Sequence, residues 1–377
     1  MNNSHRKFAE IRMPDGHEMH SKCDQRQGAT RRLGVTLMVF ALSSAAYAED
    51  LSEYSGDLST EVNALEIYAP PNGVGGGGGK KDTPPPSSGP TYYDWMSPGL
   101  ETAWTYNGGS YLGQGVTITV VDDFSSRSKY RGDLGDGSNR LRHGEWTLKQ
   151  ASMIAPEATM VMDDFYGAGA ISLSSGFNVL NLSYGYTAPL DRALEHSIVA
   201  AAEAGTALIA KSAGNDYGNV VGYRADGGYD YLSLALIDTL DNTGNTISAT
   251  GYNSVLFVGA LDWNVVDTND PLAGMASYSS IAGSNENVQR QFLVVGVEAG
   301  TSPYSAGTGL AGTSFAAPII AGYGAVLSSK FVGATPNQVA GRLLETARED
   351  TILNYNPAIH GQGEADMARA IAPTTIE

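Results

Sequence analysis

Residues 116–123 read VTITVVDD. The Val-, Ile- and Thr-rich run followed by two carboxylates is the signature of a strand buried on both faces, and such strands belong to parallel sheets. Apolar runs of the same kind return at 159–162 (TMVM), 179–182 (VLNL), 207–210 (ALIA), 255–258 (VLFV) and 292–295 (FLVV). Alanine-rich helical stretches alternate with them, at 190–204, 314–329 and 336–347. This alternation predicts an α/β domain with a mainly parallel central sheet flanked by helices on both faces. Ligands of such sheets sit beyond the carboxyl ends of the strands. Polar residues directly after the runs are therefore the first candidates for chemistry.

Outside that domain the chain changes character. Arg31 and Arg32 precede the uncharged stretch 34–47 (GVTLMVFALSSAAY), and Ala46-Tyr47-Ala48 stands before Glu49-Asp50. A basic start, a short apolar centre and a small-x-small site predict a secretory signal peptide over 1–48, cut after Ala48. An apolar run of about 15 residues is shorter than the ~20 needed to span a bilayer. The expected location is secreted or periplasmic. Residues 49–90 are an acidic segment and a Gly/Pro-rich linker, with five consecutive glycines for flexibility and PPP for extension. The globular domain is 91–377.

Charge and cysteine narrow the function. The chain of 377 residues has 40 acidic and 23 basic side chains, a net charge of −17. Without residues 1–48, which hold seven of the basic and four of the acidic residues, the net charge deepens to −20. Such a surface repels phosphate backbones and anionic lipid, so no nucleic-acid partner and no polybasic membrane clamp are expected. No integral membrane segment is expected in the mature chain. The single cysteine, Cys23, excludes an internal disulfide framework and a thiolate metal cluster. Only His143, His196 and His360 remain for any imidazole chemistry after residue 48.

Four segments carry candidate chemistry. Asp122 and Asp123 follow the first run; alone, either would be a strand-end aspartate capping a turn. Arg142-His143-Gly144 opens a helical stretch, a common helix entry when taken by itself. Ser314 lies in Gly312-Thr313-Ser314-Phe315-Ala316-Ala317-Pro318. There small residues permit a tight turn, and Pro318 is tolerable because the helix has barely begun. A serine at a helix start is ordinarily a cap, but here the helix N–H groups would also favour an oxyanion beside the hydroxyl. Asn215, in Lys211-Ser212-Ala213-Gly214-Asn215, follows the run 207–210, where a side-chain amide can donate to a developing oxyanion.

In their chain order, Asp, His and Ser with Asn215 between the last two, the four segments resemble the subtilase family of serine peptidases. Weaker echoes lie in Ile154-Ala155-Pro156-Glu157-Ala158, Asn181-Leu182-Ser183-Tyr184-Gly185, Ser277-Tyr278-Ser279, Thr335-Pro336-Asn337-Gln338-Val339 and Gly361-Gln362-Gly363. The resemblance implies a subtilisin-like three-layer fold and endopeptidase activity on polypeptide substrates. It implies Ser314 as nucleophile, His143 as general base and then acid, and Asp122 as the carboxylate orienting the imidazole. It implies Asn215, with the Ser314 N–H, as oxyanion hole. Ser183, Tyr184 and Gly185, with Ser212, Ala213 and Gly214, match the family segments that flank the substrate backbone and wall the main specificity pocket. No cofactor is implied as required.

The chain also departs from the family pattern. Asp123 and Phe124 replace the usual small hydroxyl residue and glycine, and Asp122 is favoured over Asp123 by its place directly after the apolar run. Glu145 and Trp146 replace the common Thr-His. Glu145 raises a Ser-Glu-Asp peptidase of the sedolisin kind as a rival, against which Asn215 argues, since that class uses Asp in the oxyanion hole. A subtilase fold retained as a non-catalytic peptide-binding module is the alternative of another class. Structural calcium is possible but not placed: Asp133, Asp136 and Asn139 could offer oxygens, but their spacing does not fit an EF-hand and reads better as a solvated turn. His196 and His360 read as structural. The Gly-, Tyr- and Asp-rich region 220–248 reads as an insertion, either a specificity lid or a surface loop. Lys211, a charge at the end of a buried strand, either leans toward an acidic partner or snorkels to the surface.

Overall fold

The computed structural model describes residues 89–376 apart from 97, 168, 242–250, 263–271 and 298–309. The expected signal peptide and almost all of the linker lie outside the described residues. Among the described residues nine strands form: β1 Val116–Asp122, β2 Tyr130–Gly132, β3 Asn139–Leu141, β4 Thr159–Asp164, β5 Phe177–Leu182, β6 Leu208–Ser212, β7 Val255–Asp262, β8 Gly274–Met275 and β9 Phe292–Gly296. The helices are α1 Leu100–Trp104, α2 His143–Ile154, α3 Ala193–Ala204, α4 Tyr231–Asp241, α5 Glu286–Arg290, α6 Ala317–Lys330, α7 Pro336–Glu345, α8 Pro357–His360 and α9 Met367–Ile371.

All six apolar runs become strands of one sheet. Its order is β4-β1-β5-β6-β7, every pair parallel, with β9 parallel to β7 and the short β8 antiparallel to the end of β7. Strands β2 and β3 form a separate antiparallel hairpin between β1 and α2. Successive side chains of a strand point to opposite faces, so parity along each strand sorts residues into two layers. Val116, Ile118 and Val120 of β1, Val179 of β5, Leu208 and Ala210 of β6, and Leu256 and Val258 of β7 share one core with α2, α6 and α7. Val121, Leu180, Leu182, Ile209, Val255 and Phe257 share the other with α3 and α4. The result is the expected three-layer α/β/α arrangement.

Helix α6 crosses the middle of the first layer. Its residues from Ala317 to Ser328 are all buried, which suits a helix apolar on every side. It packs on α2 and on β1, β5, β6 and β7.

Several features differ from the sequence reading, and the helix expected over 336–347 ends at Glu345. The helix expected over 314–329 is preceded by a separate 3-10 turn, Thr313–Phe315, and α6 begins at Ala317 with Pro318 in its first turn, where a missing N–H costs nothing. The helix expected from 190 begins at Ala193. The region 220–248, read without elements of its own, contains α4.

Candidate active site

Asp122 ends β1 and shares the parity of Val116, Ile118 and Val120, so its side chain faces the α2/α6 layer. It is 1 % exposed, and its Oδ1 lies 2.6 Å from His143 Nδ1. Two further donors hold the carboxylate: the Asp123 N–H gives to Oδ1 at 2.6 Å and the Thr147 hydroxyl to Oδ2 at 2.9 Å. Asp123 turns the other way and accepts from the Ser126 N–H at 2.8 Å. Of the two candidate carboxylates, Asp122 is the one brought to the imidazole.

His143 is the first residue of α2, one turn ahead of Thr147, so both reach the same carboxylate from one helix face. The helix start is fixed by a capping box in which Glu145 accepts from the Arg142 N–H at 2.7 Å and from its guanidinium at 2.8 Å. Glu145 is thereby committed to the cap, which removes the structural basis for a Ser-Glu-Asp arrangement. Trp146 is buried and donates from its indole to the Tyr130 carbonyl at 2.9 Å, tying α2 to the β2–β3 hairpin. The imidazole packs against Tyr130 and Phe315, with ring centroids 6.1 and 5.4 Å away. Phe315 is the neighbour of Ser314, which brings the two candidate groups to one place.

Ser314 sits in the 3-10 turn before α6. Gly312 enters that turn at φ +126°, a conformation that strains any residue with a Cβ. Two hydrogen bonds tie Ser314 to Ser183 just beyond β5. The Ser314 hydroxyl donates to the Ser183 carbonyl at 3.1 Å, and the Ser183 hydroxyl donates to the Ser314 carbonyl at 2.8 Å. Asn215, three residues after β6, accepts through Oδ1 from the N–H and the hydroxyl of Thr313, at 2.9 and 3.0 Å. With its oxygen so fixed, the amide turns Nδ2 toward Gly312, where a Cβ would stand 3.2 Å from it. The Ser314 N–H lies in the first turn, where helical N–H groups lack an intrahelical acceptor. Two donors and a hydroxyl are therefore assembled at the carboxyl ends of β5 and β6.

The remaining candidates fall around this centre. Ser183 is buried with the parity of Val179 and Asn181, whereas Tyr184 points to the opposite layer and reaches Glu195 of α3 at 3.3 Å. Gly214 donates its N–H to Thr313 Oγ1 at 3.2 Å, and Ala213 continues the backbone pairing to the Val258 carbonyl at 2.9 Å. Ser212 accepts from Lys211 Nζ at 2.8 Å. Away from the centre, His196 is exposed on α3, and His360 is buried with its Nδ1 accepting from the Asn356 N–H at 3.1 Å. Asp133 is engaged by the Gly135 and Gly137 N–H groups at 2.8 and 3.1 Å, and Asp136 pairs with Lys149 at 2.8 Å. Among the described residues no group of three or more His, Cys, Asp or Glu could hold a metal ion.

A sequence model described as the subtilase family matches residues 138–363, more than half of the chain. This chain belongs to the subtilase family. A curated relative is Mycosin-4 of Mycobacterium tuberculosis, 26% identical over 273 residues, which cover 71% of this chain and 53% of the relative. The chain thus spans about half the length of the curated relative it matches. Similar solved structures include the prenylagaramide maturation protease PagA, with a TM-score of 0.46 and 19% identity over 73% of this chain and 98% of the other. A cold-adapted subtilisin-like serine proteinase has a TM-score of 0.39 and 21% identity over 68% and 88%.

Two features of this site were not singled out by the sequence reading. Thr147 holds the far oxygen of Asp122, and its spacing of four from His143 was the available signal. Thr313 orients Asn215; it stands inside the Gly312–Pro318 segment quoted for Ser314, but nothing in that segment points to Asn215 as its partner.

Proposed function

We propose that this chain is an exported serine endopeptidase, secreted or periplasmic, that hydrolyses peptide bonds through an acyl-enzyme on Ser314. The observation that carries the reading is the 2.6 Å contact between buried Asp122 and His143, held beside a serine whose loop also fixes Asn215. A serine hydroxyl is a weak nucleophile until a neighbouring base takes its proton, and imidazole suits that task near neutral pH. In this reading Asp122 keeps the proton on Nδ1, which leaves Nε2 as the base. A side-chain rotation of Ser314 away from the Ser183 carbonyl turns its hydroxyl to the imidazole.

Attack on the scissile carbonyl then forms the Oγ–C bond as the hydroxyl proton passes to Nε2. The oxyanion is met by Asn215 Nδ2 and the Ser314 N–H, a donor pair in which each member is worth about 10²–10³ in rate. Collapse breaks the C–N bond, with the proton delivered from His143 to the leaving amine. Water, deprotonated by the same imidazole, then hydrolyses the ester. Asp122 stabilises the imidazolium throughout.

A fluorophosphonate probe tests the reading on the full chain. Labelling is expected in wild type and lost in Ser314→Ala. His143→Ala should reduce peptide turnover by several orders of magnitude, with His196→Ala and His360→Ala close to wild type. Absence of labelling alongside an active subtilase control would favour a peptide-binding module instead.

A further inference from the structure

Strands β5 and β6 pair as far as Leu182 and Lys211, and beyond that register their chains part. Residues 183–186 follow on one side and 212–215 on the other, and Ser183 is tied to Ser314 by two hydrogen bonds. Lys211 and Asp230 lie between these two segments. Lys211 is 1 % exposed, and its ammonium lies 3.1 Å from Asp230 Oδ2, which is 13 % exposed. The pair joins both walls: Lys211 donates to the Ser212 carbonyl at 2.8 Å, and Asp230 accepts from the Tyr186 N–H at 2.9 Å. A Cβ on Gly185 would stand 3.2 Å from Asp230 Oδ2, so the carboxylate lies directly against the glycine of the first wall.

Neither charge has spare capacity. Asp230 Oδ1 also accepts from the Ser233 N–H at 3.3 Å, and Oδ2 from the Ser233 hydroxyl at 2.7 Å, so all its lone-pair sites are used. The ammonium spends its donors on Asp230 and on the carbonyl and hydroxyl of Ser212. Burial alone would raise the Asp230 carboxyl, yet Lys211, the Tyr186 N–H and Ser233 hold it below the ordinary range. In the peptidase reading, with residues 183–185 and 212–214 as the pocket walls that the resemblance implies, a substrate carbonyl placed between Ser314 and Asn215 would direct the side chain on its acyl side, the P1 side chain, between these two segments. A charged P1 group would lose its water and find no free counter-charge.

We propose that the Lys211–Asp230 pair is the specificity-determining floor of the P1 pocket, a saturated neutral base that selects uncharged P1 side chains. The cation that would otherwise be supplied by a basic substrate is built into the strand. This inference rests on the peptidase reading above.

The test begins with fluorophosphonate labelling of the full-length wild type, which checks the peptidase reading separately. Matched peptides with Leu, Arg or Glu at P1 are then compared by kcat/KM. Wild type should prefer Leu over both charged residues by at least about tenfold. Lys211→Met, which bares the carboxylate, should shift the Arg-to-Leu ratio toward Arg by about tenfold or more. Asp230→Asn, which bares the ammonium, should shift the Glu-to-Leu ratio toward Glu. A labelled wild type that cleaves after Arg or Glu as readily as after Leu overturns the proposal without any variant. So does a labelled variant that keeps the wild-type ratios; should one variant fail to fold, the other and the wild-type ratios decide.

Discussion

Asp122 and Asp123 are chemically identical neighbours that end in different places because consecutive residues of a strand face opposite ways. The same parity governs the next two strands. Ser183 faces Ser314 while Tyr184 faces Glu195, and Ser212 follows Leu208 and Ala210 while Lys211 follows Ile209 toward Asp230. Counting twos from the buried core of each run thus separates residues at the candidate centre from those behind it. Thr147 is the residue-scale test. If its hydroxyl positions Asp122, Thr147→Val removes one hydrogen bond to a charged group, worth about 1.5–3 kcal/mol. The expected outcome is a fall in kcat of about tenfold or more with KM nearly unchanged, restored by Thr147→Ser; a fall in folding stability alone would mean a structural role. Asp122, His143, Asn215 and Ser314 were legible as candidates because each stands in a short local pattern. The partnership of Lys211 with Asp230 was not, because side chains 19 positions apart meet only once the fold is formed.

At the scale of elements, α2 and α6 carry the imidazole and the serine turn, so their approach sets the geometry between them. The contact is close at Gly322, where a Cβ would stand 2.7 Å from Ile154 Cβ of α2. An exposed helical glycine replaced by alanine gains about 1 kcal/mol. Here overpacking of about 1–3 kcal/mol opposes that gain. Gly322→Ala should therefore lower the urea midpoint, measured in a Ser314→Ala background to prevent self-digestion, and an unchanged or higher midpoint would contradict the packing. Five of the six strands were readable because both their faces are buried, which leaves apolar runs with few solvent-facing gaps; β4, expected to be buried like them, lies at the sheet edge with Thr159 and Met162 exposed, and only its Val and Met content marked it as a strand. Helix α4 was not, since its sequence YLSLALIDTLD adjoins Gly-, Tyr- and Asp-rich segments whose composition suggests a loop. Its start is fixed instead by Asp230, which accepts from the Ser233 N–H and whose carbonyl receives the Leu234 N–H at 3.0 Å.

For the whole molecule, net charge says little about where stability depends on pH; individual buried groups decide it. Glu364 is 1 % exposed where the C-terminal segment returns to the sheet, its backbone paired with Val294 of β9 and with Arg348. Burial pushes its carboxyl from 4.5 up to about 8, with Asp366 and Asp350 adding to the rise and Arg348 opposing it. A raised carboxyl means that the folded state holds the proton more tightly than the unfolded chain. Stability from this group is therefore fully present below about pH 4.5 and is lost as pH rises from there through about 8. At 1.36 kcal/mol per pKa unit, the loss is on the order of a few kcal/mol. Other groups run the opposite way: burial lowers the His360 imidazole, and Lys211 helps to lower Asp230, so both favour the fold as pH rises through their own ranges. The Glu364 contribution is isolated by difference, using urea denaturation of Ser314→Ala with and without Glu364→Gln at pH 5, 6.5 and 8. The Gln variant should gain stability relative to its parent as pH rises, most at pH 8, because its amide carries no proton to lose. Parallel pH curves would mean that Glu364 is ionised in the folded state throughout, held by Arg348 against its burial.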